Sequence, residues 1–127
     1  MVSKYFEMVD FLERALQLAE RGSLDQAAQV LAKSLHGTGK NLQPAYAEAW
    51  HLLSLLRADL GQGVAALEAL ENAHACAPAS EAIAQELLMR YQADAVWDKA
   101  QLLLRHLLAQ HTDNQALLAQ MAHVLHM

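Results

Sequence analysis

The chain has 127 residues, a formal net charge of −5 and a hydrophobic fraction of 54%, enough for one domain that removes about two thirds of its unfolded surface from water. Its nine Lys and Arg residues are scattered along the sequence, which argues against a nucleic-acid partner, since such proteins concentrate basic residues on one face. The single cysteine excludes an intramolecular disulfide and a cysteine-rich zinc site.

Signals for a membrane or for export are absent from the sequence. No apolar run approaches the roughly 18 residues that a bilayer-crossing helix needs. The first residues carry an acid, Glu7, where a secretory leader would have its apolar segment. The sequence therefore predicts a cytoplasmic protein without membrane insertion.

A first pair of helices is predicted near the N-terminus. The first helix runs from after Ser3 to about Arg21, where Gly22 ends it in the left-handed conformation that glycine tolerates. Ser23 then caps a second helix, which carries one apolar stripe and continues to Gly37.

A polar loop separates this pair from a second one. Pro44 is expected at the first position of the third helix, where its missing N–H costs nothing. This helix ends near Gly61, and the fourth runs from about Val64 to Cys76. It stops before Pro78, because the residue before a proline disfavours helical geometry.

A third pair follows, with Ser80 as the cap of its first helix. The two helices are predicted at Glu81–Ala93 and Ala95–His111, with Asp94 at the turn. No glycine marks this turn, in contrast to the two earlier pairs.

A seventh helix is expected at Asp113–His126, because Thr112 and Gln115 have the spacing of a capping box. Its apolar residues cover a wider part of the helix surface than a single buried stripe requires. The helix is expected to pack deeply, to mediate self-association, in which case the chain is a homodimer, or to dock a partner. The residues assigned to self-association are Leu117, Leu118, Met121, Val124 and Leu125.

The chain repeats with a step of 34 residues. Trp50, Leu53, Ala66, Leu70 and Pro78 are followed one step later by Ala84, Leu87, Ala100, Leu104 and Thr112. A period of this size is typical of stacked helix pairs, since one pair cannot bury its apolar face alone. The small residues at the Ala66 and Ala100 positions are expected to let the two helices of a pair approach closely.

The segment 47–80 resembles a tetratricopeptide repeat (TPR). The residues that carry the resemblance are Trp50, Leu53, Ala66, Leu70 and Pro78. Ser54 replaces the usual glycine, Arg57 the usual tyrosine, and Arg14 takes an expected apolar position in the first repeat. The resemblance covers nearly the whole chain. It implies one all-α domain at 1–127, a right-handed α-α superhelix of seven antiparallel helices, with repeats at about 4–37, 45–79 and 80–112 and a closing helix at 113–126.

The resemblance also implies a concave surface lined by the first helix of each pair. Its predicted binding residues are Leu12, Glu13, Leu16, Glu48, His51, Leu52, Leu55, Asp59, Glu86 and Met89. An apolar floor with acidic edges suits an amphipathic peptide or helix that carries Lys or Arg. The other interpretation is ordinary packing between repeats with a solvated acidic rim. The TPR modules that clamp a C-terminal carboxylate with Lys, Arg and Asn are disfavoured, since this face lacks those residues.

The function predicted is therefore that of a non-enzymatic adaptor or chaperone with a protein or peptide partner, the alternative being a self-associating scaffold or assembly subunit. No catalytic motif is found, and no cofactor is expected. His123 and His126 share a helix face but lack a third ligand, so no metal site is predicted. Cys76 is expected to be a small buried hydrophobic residue, and His51 a hydrogen-bonding contact in the groove.

Overall fold

The chain folds into α-helices. The computed structural model describes residues 4–36, 44–110 and 114–126, with the side chains of the first helix described from Val9 onward. The helices are α1 Lys4–Glu20, α2 Leu24–His36, α3 Ala47–Asp59, α4 Gly63–Cys76, α5 Glu81–Ala93, α6 Trp97–Gln110 and α7 Gln115–Leu125. A 3-10 turn, Pro44–Tyr46, precedes α3, and these described ranges contain no β-strand. The predicted all-α class is confirmed.

Two compact units make up the chain, Met1–Ile83 and Ala84–Met127. In the first unit, α1 packs on α2, α2 on α3, and α3 on α4. In the second unit, α6 packs on α7. The helices therefore pack mainly on their neighbours in the sequence, as the repeat period predicts.

The small residues of the repeat lie near the start of the second helix of each pair. Ala27, Ala66 and Ala100 each occupy the first or second turn of the second helix of their pair, and all three are buried. A methyl group leaves room for the backbone of the facing helix, whereas a larger side chain would push the helices apart. This part of the sequence prediction agrees with the structure.

The turns within the three pairs share one geometry, although their residues differ. Gly22, Gly61 and Ala95 have positive φ angles of 84°, 79° and 57°. In each turn the residue after the positive-φ position donates its N–H to the carbonyl five residues before it, for example Val96 to Tyr91 at 2.8 Å. This is the Schellman arrangement at a helix C-terminus. Because Ala95 occupies the left-handed position, α6 begins at Trp97 and not at the predicted Ala95.

Replacing Ala95 with glycine is expected to raise the free energy of unfolding by about 0.5–1 kcal/mol, since glycine relieves the left-handed strain of an alanine. The urea midpoint measured by circular dichroism checks this. Gly61→Ala is the matched control and should lower the midpoint. A Cβ at Gly61 meets no atom within 4 Å, so its effect reports backbone strain alone. An unchanged or lower midpoint for Ala95→Gly would contradict the assignment.

Two helix caps can be compared with their predictions. Ser80 is confirmed as a cap, because its Oγ accepts a hydrogen bond from the Ile83 N–H at 3.4 Å. Helix α7 is capped by Asn114, whose Oδ1 accepts from the Leu117 N–H at 3.2 Å. Helix α7 therefore begins at Gln115 and not at the predicted Asp113, and Thr112 of the predicted capping box lies outside the described residues. Asn114 has the extended backbone that a cap residue adopts.

The structure explains separately how each of the three residues that depart from the TPR pattern fits into the fold. Ser54 is buried, and its hydroxyl donates to the His51 carbonyl at 2.6 Å, so its polar group is satisfied inside the same helix. The Arg57 guanidinium donates to the Ala65 carbonyl at 3.4 Å and joins α3 to α4. Arg14 is exposed, so its position does not require an apolar side chain.

Candidate functional site

Helices α1 and α3 contact each other within the first compact unit. The residues predicted for the binding face occupy equivalent positions on the two helices, with Leu12 matching His51 and Leu16 matching Leu55. On each helix they follow a spacing of three or four residues, which keeps them on one side. We call the surface formed by Leu12, Glu13, Leu16, Glu48, His51, Leu52, Leu55 and Asp59 the α1/α3 face.

The apolar part of this face is partly open to solvent. Leu16 and Leu55 are 43% and 46% exposed, whereas Leu12 and Leu52 are half-buried. The half-buried pair therefore contributes to packing between helices, which was the alternative interpretation of these leucines. Leu16 and Leu55 keep a large apolar area that a partner could cover, and burying a leucine fully is worth about 1.5–3 kcal/mol.

Acidic side chains lie on the same two helices. Glu13, Glu48 and Asp59 are exposed, and none of the three forms an ion pair or a side-chain hydrogen bond with any described residue. Their charges are not neutralised locally, so the surface attracts positive groups over roughly a Debye length of 8–10 Å. His51 lies on the same face and is half-buried.

The remaining two residues of the predicted groove lie in the second unit. Glu86 is half-buried on α5, and Met89 is exposed on the same helix. The other predicted residues lie on α1 and α3, two helices that contact each other in the first unit.

The predicted self-association residues on α7 divide into two groups. Leu117 and Val124 are buried, in the helix that packs on α6. They are interior residues, so their assignment to an intermolecular contact is corrected. Leu118 and Leu125 are 46% and 59% exposed, and Met121 is half-buried. Only this second group is available to a partner.

Solved structures were compared with this fold. It is similar to the first TPR domain of Spaghetti (RPAP3), solved bound to the HSP90 peptide SRMEEVD, with a TM-score of 0.61 and 12% identity over 94% of this chain and 93% of that one. It is also similar to a putative kinesin light chain of Podosopora anserina with nearly identical TPR-like repeats, with a TM-score of 0.62 and 22% identity over 98% of this chain and 67% of that one. The chain has a TPR-like fold.

A variant of the kinesin light chain matches in the same way, with a TM-score of 0.62 and 20% identity over 98% of this chain and 68% of that one. No protein-family model and no curated protein matches the sequence. The TPR signature residues that the sequence does carry, Trp50, Leu53, Ala66 and Leu70, are buried. They build the scaffold, and the residues particular to this chain lie among the exposed ones.

Sequence reasoning missed two exposed apolar side chains of this TPR-like fold. Val64, in the first turn of α4, is 83% exposed, and Leu102 on α6 is 65% exposed. The sequence did contain a sign that Leu102 is exposed, because Lys99 and Arg105 lie three residues to either side and share its helix face. Neither residue belongs to the α1/α3 face.

The described residues bear on three other features: a metal site, a membrane span and a reactive thiol. The described part of the chain holds no group of three His, Cys, Asp or Glu residues that could bind a metal ion. Within it no helix is long and apolar enough to cross a membrane. Cys76 is buried, and this burial raises the pKa of its thiol, which disfavours the reactive thiolate. A shallow cleft lies where α1 and α3 end, lined by residues 22–26 and Leu60.

Proposed function

We propose that this TPR is a non-enzymatic protein-interaction module that binds an amphipathic, basic peptide or helix on its α1/α3 face, as a cytoplasmic adaptor or chaperone. The observation that carries this proposal is the exposure of Leu16 and Leu55 on the same two helices as the unpaired carboxylates of Glu13, Glu48 and Asp59.

Both parts of this surface favour the same ligand. The two leucines offer apolar contact to leucine, isoleucine or phenylalanine at i and i+4 of a bound helix. The carboxylates favour Lys or Arg at the edges of that helix and raise the association rate through long-range attraction. A purely apolar ligand would gain only the first contribution, and a purely basic ligand only the second.

The similar TPR of RPAP3 shows that this fold can hold a short peptide, since it was solved bound to SRMEEVD. That peptide ends in Glu-Glu-Val-Asp and is acidic. The acids of the α1/α3 face would repel it. We therefore infer a partner of the opposite charge for this chain.

A titration of labelled peptides by fluorescence anisotropy tests the proposal. The probe is an amphipathic peptide of about 18 residues, with leucines on one face and lysines on its flanks. We expect saturable binding that weakens as salt is raised, because the attraction is screened. The same peptide with its lysines replaced by glutamates, and SRMEEVD itself, should not bind. Clear binding of either acidic peptide, or no binding of the basic one, would overturn the proposal.

A second candidate function is that of a self-associating scaffold or assembly subunit. It is favoured by the exposure of Leu118 and Leu125 on α7, which the α1/α3 face does not explain.

A further inference from the structure

Helix α7 carries an apolar stripe that the described residues leave partly exposed. Leu118, Met121 and Leu125 are spaced by three and four residues and therefore share one side of the helix. Leu118 and Leu125 keep about half of their surface exposed, and Met121 is half-buried. We call these three residues the α7 stripe.

The orientation of α7 is fixed by its other side. Leu117 and Val124 are buried, and α7 packs on α6. The His123 ring meets Trp97 of α6 edge to face, with 6.4 Å between the ring centres. Turning α7 to bury its stripe would expose Leu117 and Val124, so the stripe stays on the surface.

The charge pattern of α7 indicates what covers the stripe. Of the seven described helices, α7 alone contains no Asp, Glu, Lys or Arg. Around a two-fold axis each side chain near the axis lies beside its own copy, so a charged residue there would meet a like charge. The α7 stripe is uncharged, so two copies can pair without this repulsion. The α1/α3 face, with its three free carboxylates, would repel its own copy. A partner recognised through charge would gain nothing at α7.

We propose that the α7 stripe pairs with the α7 stripe of a second copy of this chain, antiparallel about a two-fold axis near Met121. This inference rests on the scaffold function proposed above and is independent of peptide binding. The 11 residues of α7 span about 16 Å, and a pair of such helices buries less than the roughly 1,200 Å² of a stable interface. The dimer is therefore weak and concentration-dependent.

Sedimentation velocity from about 5 to about 500 μM tests the pairing by mass action. The wild-type chain should shift from monomer to dimer, and Leu118→Glu and Leu125→Glu should each remain monomeric with unchanged circular dichroism. Leu102→Glu is the matched control. Leu102 is 65% exposed but lies on the side of α6 opposite its buried residues, so this variant should dimerise like the wild type.

A cross-link tests the geometry. Ala122 is exposed beside Met121, and Ala116 is exposed on another side of α7. Under oxidation, Ala122→Cys should form a disulfide between two copies faster than Ala116→Cys, and the buried Cys76 should stay reduced. A wild-type chain that is monomeric at the highest concentration, or a Leu102→Glu control that loses the dimer equally, overturns the pairing. If the basic peptide still binds in that case, the peptide-binding function stands.

Discussion

The double variant Leu16→Lys and Leu55→Lys is expected to bind the basic amphipathic peptide about 100-fold more weakly than the wild type. Each substitution removes an exposed apolar contact from the centre of the α1/α3 face. Each also places a positive charge opposite the lysines of the ligand, so the apolar and electrostatic effects act in the same direction. Fluorescence anisotropy at a fixed salt concentration measures the loss.

Val64→Lys provides the control for this experiment. Val64 is more exposed than either leucine and lies in the first turn of α4, outside the residues of the α1/α3 face, so the substitution adds a positive charge without changing the binding face. Its affinity should differ from that of the wild type by less than about threefold, because a single distant charge is largely screened. A similar loss in both variants would mean that net charge alone governs binding and that the face is assigned wrongly.

The largest effect on stability is expected from Ala66→Leu, which should lower the free energy of unfolding by about 1–3 kcal/mol. Ala66 is buried at the start of α4, on the same side as the fully buried Ala69 and Ala73. Because the side chains on this side of α4 are small, α4 can lie close to α3. A leucine in that space forces the two helices apart or takes a strained rotamer.

Ala75→Leu is the matched control, since Ala75 is an exposed residue of the same helix. Its free energy of unfolding should change by no more than about 0.5 kcal/mol. Urea denaturation followed by circular dichroism measures both variants. Equal effects would show that the helix pair has room at Ala66 and that the small residue is not needed for close approach.

The scaffold could be predicted from the sequence because its rules are local. Periodic apolar residues define the helices, and Gly22 and Gly61 end the first helix of their pairs. The third turn could not be placed in the same way. Its left-handed residue is Ala95, which carries no sequence signature for that conformation, so the start of α6 was predicted two residues early.

The candidate site was less predictable, because periodicity tells which side of a helix a residue occupies but not how deeply that side is covered. Leu12 and Leu16 were assigned to one face, yet the first is half-buried and the second is more exposed. On α7, Leu117 and Leu118 are adjacent in sequence and about 100° apart around the helix. The distance to the neighbouring helix decides which of them is buried, and that distance is a tertiary property.

Packing between consecutive helices has a consequence for how the chain folds. In the first unit α1 meets α2, α2 meets α3, and α3 meets α4, so most native contacts close short loops of chain. The entropy lost on closing a loop is smallest for such contacts. Helical proteins with this low contact order fold in about microseconds to milliseconds. The same locality lets one pair open while its neighbour stays folded, so hydrogen exchange should proceed pair by pair along the chain.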